Sequence, residues 1–282
     1  MRNARTALIL GSTLLVVWVS SSAASAASPG TVPNNASGGT PAVGEATPTI
    51  TPGTNPSTPQ PPSPAPTATP AIKQLSNELT LDAWAHPESP GPIYARPTPH
   101  SRRLAKIHLY TADGFLEVYP LLDSYIDAGG NEWLKVRIPG RPNGRTGWVS
   151  RELLASFQYT RWRIAVNRET QRMHVYYAGR LVRVFPVGVG KPSTPTPAGH
   201  FWVDERFKLT NPNNPYYPYA LGTSDYSTLP NWPGEGVIGI HGPYGEPQRI
   251  PGDPSHGCIR MLDPDIAWLG PRITLGTPVE VI

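Results

Sequence analysis

The sequence predicts a mainly β protein with two folded units. Three observations carry that expectation. From Leu79 onward, short segments alternate apolar and polar residues. Turn dipeptides and Pro- or Gly-rich loops separate those segments at close intervals. Helical signals are confined to one or two short stretches.

Residues 1–27 carry Arg2 and Arg5, then an apolar run from Ala7 to Val19, then the small residues Ala24-Ser25-Ala26. A charged start, a short apolar core and a small-residue exit describe a secretory signal. The run is short for a membrane span, which takes about 20 apolar residues. The protein is therefore expected to be exported to the cell envelope or wall, with an uncleaved tether as the alternative. Residues 28–78 are expected to be a spacer. From Ser28 to Ile72, Pro, Thr, Ser, Ala and Gly dominate and Glu45 is the only charge. Such a stretch buries too little apolar surface to offset its ordering entropy, and its Thr-Pro and Ser-Pro steps favour an extended chain.

Residues 79–157 are expected to form the first unit. Trp133-Leu134-Lys135-Val136-Arg137-Ile138 puts Leu134, Val136 and Ile138 on one face. Asn143-Gly144 marks a turn, Gly147-Trp148-Val149 starts another strand, and Arg151 to Leu154 reads as a helical turn. This spacing suggests a small barrel. Residues 158–282 are expected to form the second unit, opening on a strand through Trp162, Ile164 and Val166. Met173–Tyr177 and Leu181–Val187 flank Ala178-Gly179-Arg180 as a hairpin. Val237-Ile238-Gly239-Ile240 is a strand that ends at His241. Four prolines and three glycines between Gly242 and Pro254 argue against regular structure there. Asp263 followed by Pro264 looks like an N-cap opening a short helix to Leu269, and Val279–Ile282 is a last strand.

Formal net charge is +4. Cleavage of the leader would remove Arg2 and Arg5 and leave about +2, too little to argue for nucleic acid. Cys258 is the only cysteine, so the chain has no internal disulfide and its folded units rest on apolar cores. A thiol of ordinary pKa is only a few per cent thiolate at neutral pH, so a working cysteine takes an adjacent base or cation. His241 and His256 are the candidates, each suited to taking a proton and returning it to a leaving amine. His241 ends a strand, and Gly242 beside it offers only backbone, so an orienting bond would come from a carbonyl. Gly257 lets the chain bend so that amides near Cys258 can face a developing oxyanion. Arg260 supplies permanent charge for an oxyanion or a substrate carboxylate. An inert buried thiol is one alternative. A zinc site from His241, His256, Cys258 and Asp253 is another, disfavoured by the lack of a second cysteine. The aromatics Tyr216, Tyr217, Tyr219, Tyr226 and Trp232 suit either sugar binding or packing, and Trp268 is assigned to the core.

His241 precedes Ser255 by 14 positions, and Ser255-His256-Gly257-Cys258-Ile259-Arg260 follows. This pattern closely resembles the L,D-transpeptidase (YkuD) signature. Lys191-Pro192-Ser193-Thr194-Pro195-Thr196-Pro197-Ala198-Gly199-His200-Phe201 resembles the same family's Thr-Pro-x-Gly-x-Phe segment. Arg260 stands where many members carry Asn, and Ala198 where Thr is commoner. The pattern Trp133-x-x-Val136, Gly147-Trp148-Val149 and Leu153 resembles bacterial SH3-like domains, whose barrels often recognise wall peptides; a rigid spacer is the alternative. The resemblance implies an SH3-like small β-barrel followed by a sandwich-like catalytic domain. It implies that Cys258 attacks a peptidoglycan stem peptide, releases D-alanine and passes the acyl group to an amine, or to water as a carboxypeptidase. It implies His241 as base, with His256, Gly257, Ser255 and Gly242 as active-site support and oxyanion donors. Arg260 and Tyr244 would contact substrate. It further implies acylation by carbapenem-type β-lactams, no metal or organic cofactor, and a monomer.

Overall fold

The structure, a computed structural model, describes residues 71–229 and 236–282, all within the compact unit Pro62–Ile282. The leader, most of the spacer and Trp232 lie outside the described residues. Eighteen strands and one α-helix are found among those residues, arranged in two sheets.

The first sheet holds β1 (Ala71–Gln74), β2 (Asp82–Ala85), β3 (Pro92–Tyr94), β4 (Arg103–Lys106), β5 (Tyr119–Ile126), β6 (Glu132–Arg137), β7 (Thr146–Ser150) and β8 (Gln158–Thr160). Its order is β4-β3-β7-β6-β5-β2-β8, with β1 also paired to β5. The alternation read from Leu134, Val136 and Ile138 is realised, since all three are buried along with Ile93, Leu121 and Val149. Gly144 takes φ +79 in the turn that joins β6 to β7, and Arg151–Leu153 is a single 3-10 turn. The spacer was expected to reach residue 78, yet β1 pairs with β5 from Ala71 to Gln74, and the Ser76 hydroxyl donates to the Leu121 carbonyl at 2.5 Å. Backbone pairing of an exposed strand leaves no apolar pattern in the sequence. At the other end, β8 pairs with β2 and belongs to this sheet.

The second sheet holds β9 (Trp162–Asn167), β10 (Arg172–Tyr177), β11 (Arg180–Pro186), β12 (Gly188–Gly190), β13 (Gly199–Lys208), β14 (Tyr219–Tyr226), β15 (Val237–His241), β16 (Gly252–Ser255), β17 (Ile259–Arg260) and β18 (Pro278–Val281). Its order is β11-β10-β9-β18-β13-β14-β15-β17-β12-β16. Helix α1 (Asp263–Leu269) buries Ile266 and Leu269 on this sheet's core, beside Ile164, Val175, Leu221, Ile240 and Ile259. Each large apolar side chain so buried stabilises the fold by roughly 1.5–3 kcal/mol. Two expectations are corrected. Leu262, not Asp263, caps the helix, and no side chain bonds to its first turn. The Gly242–Pro254 stretch holds a 3-10 turn at Pro247–Arg249 and most of the short edge strand β16. Proline is tolerated there because an edge strand leaves some amides unused. Trp268 packs on the core only in part, between Phe185 and the guanidinium groups of Arg183 and Arg272.

The two sheets meet through Trp84, Val118 and Trp202 and through an edge-on contact of Phe115 with Phe207. Carboxylates are buried along the same seam. Burial raises Asp82 to about 6 and Glu117 to about 7. It also raises Glu205 to about 7, Asp225 to about 8, and Asp204 well above the usual carboxylate range. A raised carboxyl pKa means that the folded state binds protons the unfolded chain has released. That contribution is complete below about pH 4 and is lost as pH climbs through the raised values. Buried His241 works in the opposite sense. Its pKa falls to about 4, so its contribution is lost as pH drops from about 6.5 toward 4. Thermal unfolding followed by circular dichroism should therefore give a Tm maximum near about pH 5 and a loss of about 5 °C or more by about pH 9. A Tm that rises across that interval would contradict the assignment.

Candidate active site

Strands β15 and β17 run parallel, with Ile240 opposite Ile259 and His241 opposite Arg260. Cys258 immediately precedes β17, so this register brings it level with Gly239. Side chains alternate faces along a strand, so Gly239 and His241 share a face and the thiol lies one same-face step from the imidazole. The Gly239 N–H donates to Cys258 Sγ at 3.5 Å. Burial raises the thiol pKa, opposed by the Gly239 amide and the Arg260 charge.

His241 is buried, and its Nδ1 lies 2.8 Å from the Gly242 carbonyl oxygen. That carbonyl can only accept, so Nδ1 carries the proton and Nε2 keeps a free lone pair. Desolvation comes first in lowering this imidazole to about 4, and the Arg260 charge adds to it. His241 is thus neutral at physiological pH and can take a proton. Gly242 has a second constraint, because a Cβ there would overlap the Tyr217 carbonyl. The edge of His241 meets the Tyr216 ring with centroids 4.7 Å apart.

The loop that carries the thiol is held from two sides. Ser255 Oγ accepts from the Gly257 N–H at 3.0 Å and donates to the Cys258 carbonyl at 2.6 Å. Thr196 Oγ1 donates to the Gly257 carbonyl at 2.6 Å and accepts from the Gly190 N–H at 3.0 Å. Gly257 has φ +134, and a Cβ would come within 2.5 Å of Ile238 Cδ1, so glycine is required on both counts. The Gly257 amide, expected as an oxyanion donor, is bonded to Ser255 Oγ, whereas the Cys258 amide lies close to its own sulfur and favours the thiolate.

The other expected residues divide by role. His256 Nε2 lies 2.8 Å from Lys191 Nζ. The ammonium donates, so Nε2 of this imidazole is occupied as an acceptor for Lys191. Its pKa is lowered by burial and then by Lys191 and Arg260. Arg260 is buried, and its Nη1 donates to Glu246 Oε2 at 2.5 Å. Its guanidinium also stacks 4.8 Å above the Tyr244 ring. Tyr244 takes φ +59, an unusual conformation for an aromatic residue, which sets its ring beside Tyr216 and under Arg260. Asp253 accepts from Gln171 instead of joining the histidines. Cys258, His241, His256, Ser255, Arg260 and Tyr244 line one cleft of about 440 Å³.

Sequence reasoning missed four participants. Thr196 lies in the Thr-Pro-x-Gly-x-Phe segment, where residue type alone gives no sign of its bonds to Gly257 and Gly190. Tyr216 was one of several loop aromatics, while Tyr219 belongs to the core and Tyr226 lies under Arg141. Lys191 and Glu246 left no signal, since their partners are distant in sequence or set by loop geometry.

Residues 161–281 match the family model described as the L,D-transpeptidase catalytic domain, YkuD. A putative L,D-transpeptidase YkuD of Bacillus licheniformis is 34% identical over 120 residues, covering 43% of this chain and 65% of that protein. This chain thus spans just under two thirds of that relative. A putative L,D-transpeptidase YqjB of Bacillus subtilis is 30% identical over 128 residues, covering 42% of this chain and 69% of that protein. Among solved structures, the catalytic domain of an Enterococcus faecium L,D-transpeptidase is 27% identical, with a TM-score of 0.32, over 43% of this chain and 96% of that one. With residues 161–281 matched by that family model, and with a relative 30% identical that is covered over 69% of its length, the chain belongs to the YkuD-type L,D-transpeptidase family.

Proposed function

We propose that this protein is an exported peptidoglycan L,D-transpeptidase with Cys258 as nucleophile and His241 as general base. The observation that carries the reading is the pairing of a thiol on the Gly239 amide with a neutral imidazole held by the Gly242 carbonyl. As Sγ bonds to the peptide carbonyl carbon of a stem tetrapeptide, His241 Nε2 takes the thiol proton. The amide of Cys258 faces the developing oxyanion. Collapse of the intermediate breaks the bond to D-alanine, whose amine receives the proton from His241. An amine of a neighbouring stem then attacks the thioester carbonyl and gives its proton to His241; the C–S bond breaks as the crosslink forms, and His241 returns the proton to the departing Cys258 sulfur. Arg260, held by Glu246 and Tyr244, offers positive charge for a substrate carboxylate.

The first sheet is read as an SH3-like barrel that contacts wall peptides, on the strength of the Trp133 to Leu153 pattern now carried by β6, β7 and the 3-10 turn. Carbapenem-type β-lactams would acylate Cys258 through the same attack.

Incubation with a disaccharide tetrapeptide, with products followed by mass, tests the reading. The expected product is a dimer that has lost D-alanine. A tripeptide alone would assign the acceptor to water and make the protein a carboxypeptidase. No turnover, together with no carbapenem adduct, would overturn the reading.

A further inference from the structure

The turn between β6 and β7 reaches across to the second sheet beside the cleft. Asn143 Nδ2 donates to Asp225 Oδ1 at 2.8 Å and to the Tyr226 carbonyl at 3.1 Å. Arg141 Nη2 donates to the Ser227 carbonyl at 3.0 Å and its guanidinium lies 4.9 Å over the Tyr226 ring. These contacts secure the end of β14, where pairing with β15 is irregular between Gly222 and Tyr226. Ser227 then lines the cleft, and its Cβ and Oγ approach the position that a Gly257 Cβ would take, at 3.8 Å. Gly257 directly precedes the nucleophile. Asp225 is almost fully buried, and its Oδ2 has no partner among the described residues.

We infer that Asn143 is a positioning residue for Cys258: by holding Asp225 and the end of β14, the N-terminal sheet sets the wall and the charge against which the thiol works. This rests on the reading of Cys258 as nucleophile and extends it to a residue outside the matched catalytic segment. The alternative role for the first sheet, a passive spacer, gives no reason for an amide directed at a buried carboxyl beside the cleft. The charge acts through space. Ionised Asp225 opposes formation of the Cys258 thiolate. Asp225 itself is held up by burial, while the Tyr226 amide, the Asn143 amide and the Arg168 charge favour its ionised form. Losing Asn143 therefore keeps Asp225 neutral to higher pH and makes the thiol easier to ionise.

The test uses the folded chain with Asn143→Ala, Asp225→Asn and the pair together. Iodoacetamide alkylation of Cys258 is followed from about pH 6 to 10 beside carbapenem acylation and thermal unfolding. Asp225→Asn should speed alkylation about threefold near pH 8.5 by removing the neighbouring charge. Asn143→Ala should shift the profile the same way by less, and add no shift in the Asp225→Asn background. Acylation by the carbapenem, which needs the cleft wall in place, should instead slow about tenfold in Asn143→Ala. A lesion of stability alone would expose the buried thiol, speed alkylation by a constant factor at every pH, lower the Tm, and act equally in the Asp225→Asn background. An Asn143→Ala profile that superimposes on that of the unmodified chain, or an equal shift with and without the Asp225 carboxyl, would overturn the inference. If iodoacetamide labels Cys258 but no carbapenem or tetrapeptide acylates the unmodified chain, the proposed function fails while the alkylation arm still decides this point.

Discussion

Cys258→Ala should abolish covalent capture of a carbapenem and turnover of a tetrapeptide, a loss of about 10⁴-fold or more. The expectation follows from chemistry: among the described residues, no other side chain that lines the cleft offers a thiol. His256 is engaged by Lys191, and Ser255 spends its hydroxyl on the Cys258 carbonyl. Stability should change little. The thiol's polar contact is one long amide bond, and the loop is held by Ser255 and Thr196 through backbone atoms that alanine retains. Intact mass after incubation, with a melting curve alongside, separates loss of chemistry from loss of fold. An adduct that persists in the variant would place the nucleophile elsewhere.

His241→Ala should slow acylation about 10³-fold, and the shape of its pH profile is more informative than the magnitude. With His241 present, a neutral thiol meets a neutral base. The rate should stay flat from about pH 5 through neutrality, and fall only as the imidazole protonates near 4. Without the base, the thiol must ionise unaided against its raised pKa. The residual rate should then climb steadily with pH toward the alkaline range. Single-turnover acylation by a carbapenem across pH reads both shapes. A flat profile in His241→Ala would assign the base to another group.

Much of the site was legible because its members are close in sequence. The Ser255 to Arg260 run and His241 stand out as types that chemistry needs, and Gly242 was recognisable as a source of backbone only. Their division of labour was not legible. Two histidines of equal ordinary pKa look alike in sequence. They part because one is buried against a carbonyl and the other accepts from a lysine in a different loop. Gly257 suggested an open oxyanion amide, but the Ser255 hydroxyl two residues earlier captures it. Acidic residues scattered through the chain carried no hint that Glu117, Asp204, Glu205 and Asp225 would be buried with raised pKa values.

The strands follow the same division. Leu134, Val136 and Ile138, or Ile164 and Val166, announce themselves because a half-buried strand imposes a period of two. β1 and β16 do not. An exposed or edge strand is held by backbone bonds, which are indifferent to side chains. By itself the sequence determined the β character of the fold, the lone thiol with histidines near it, and the glycine that bends the loop, since each depends on residue type or local spacing. Only the tertiary structure decided which histidine is buried against a carbonyl, which amide beside Cys258 the Ser255 hydroxyl captures, and how Asn143 meets Asp225. Those outcomes depend on burial and on partners brought together from distant positions, and neither leaves a mark on local sequence.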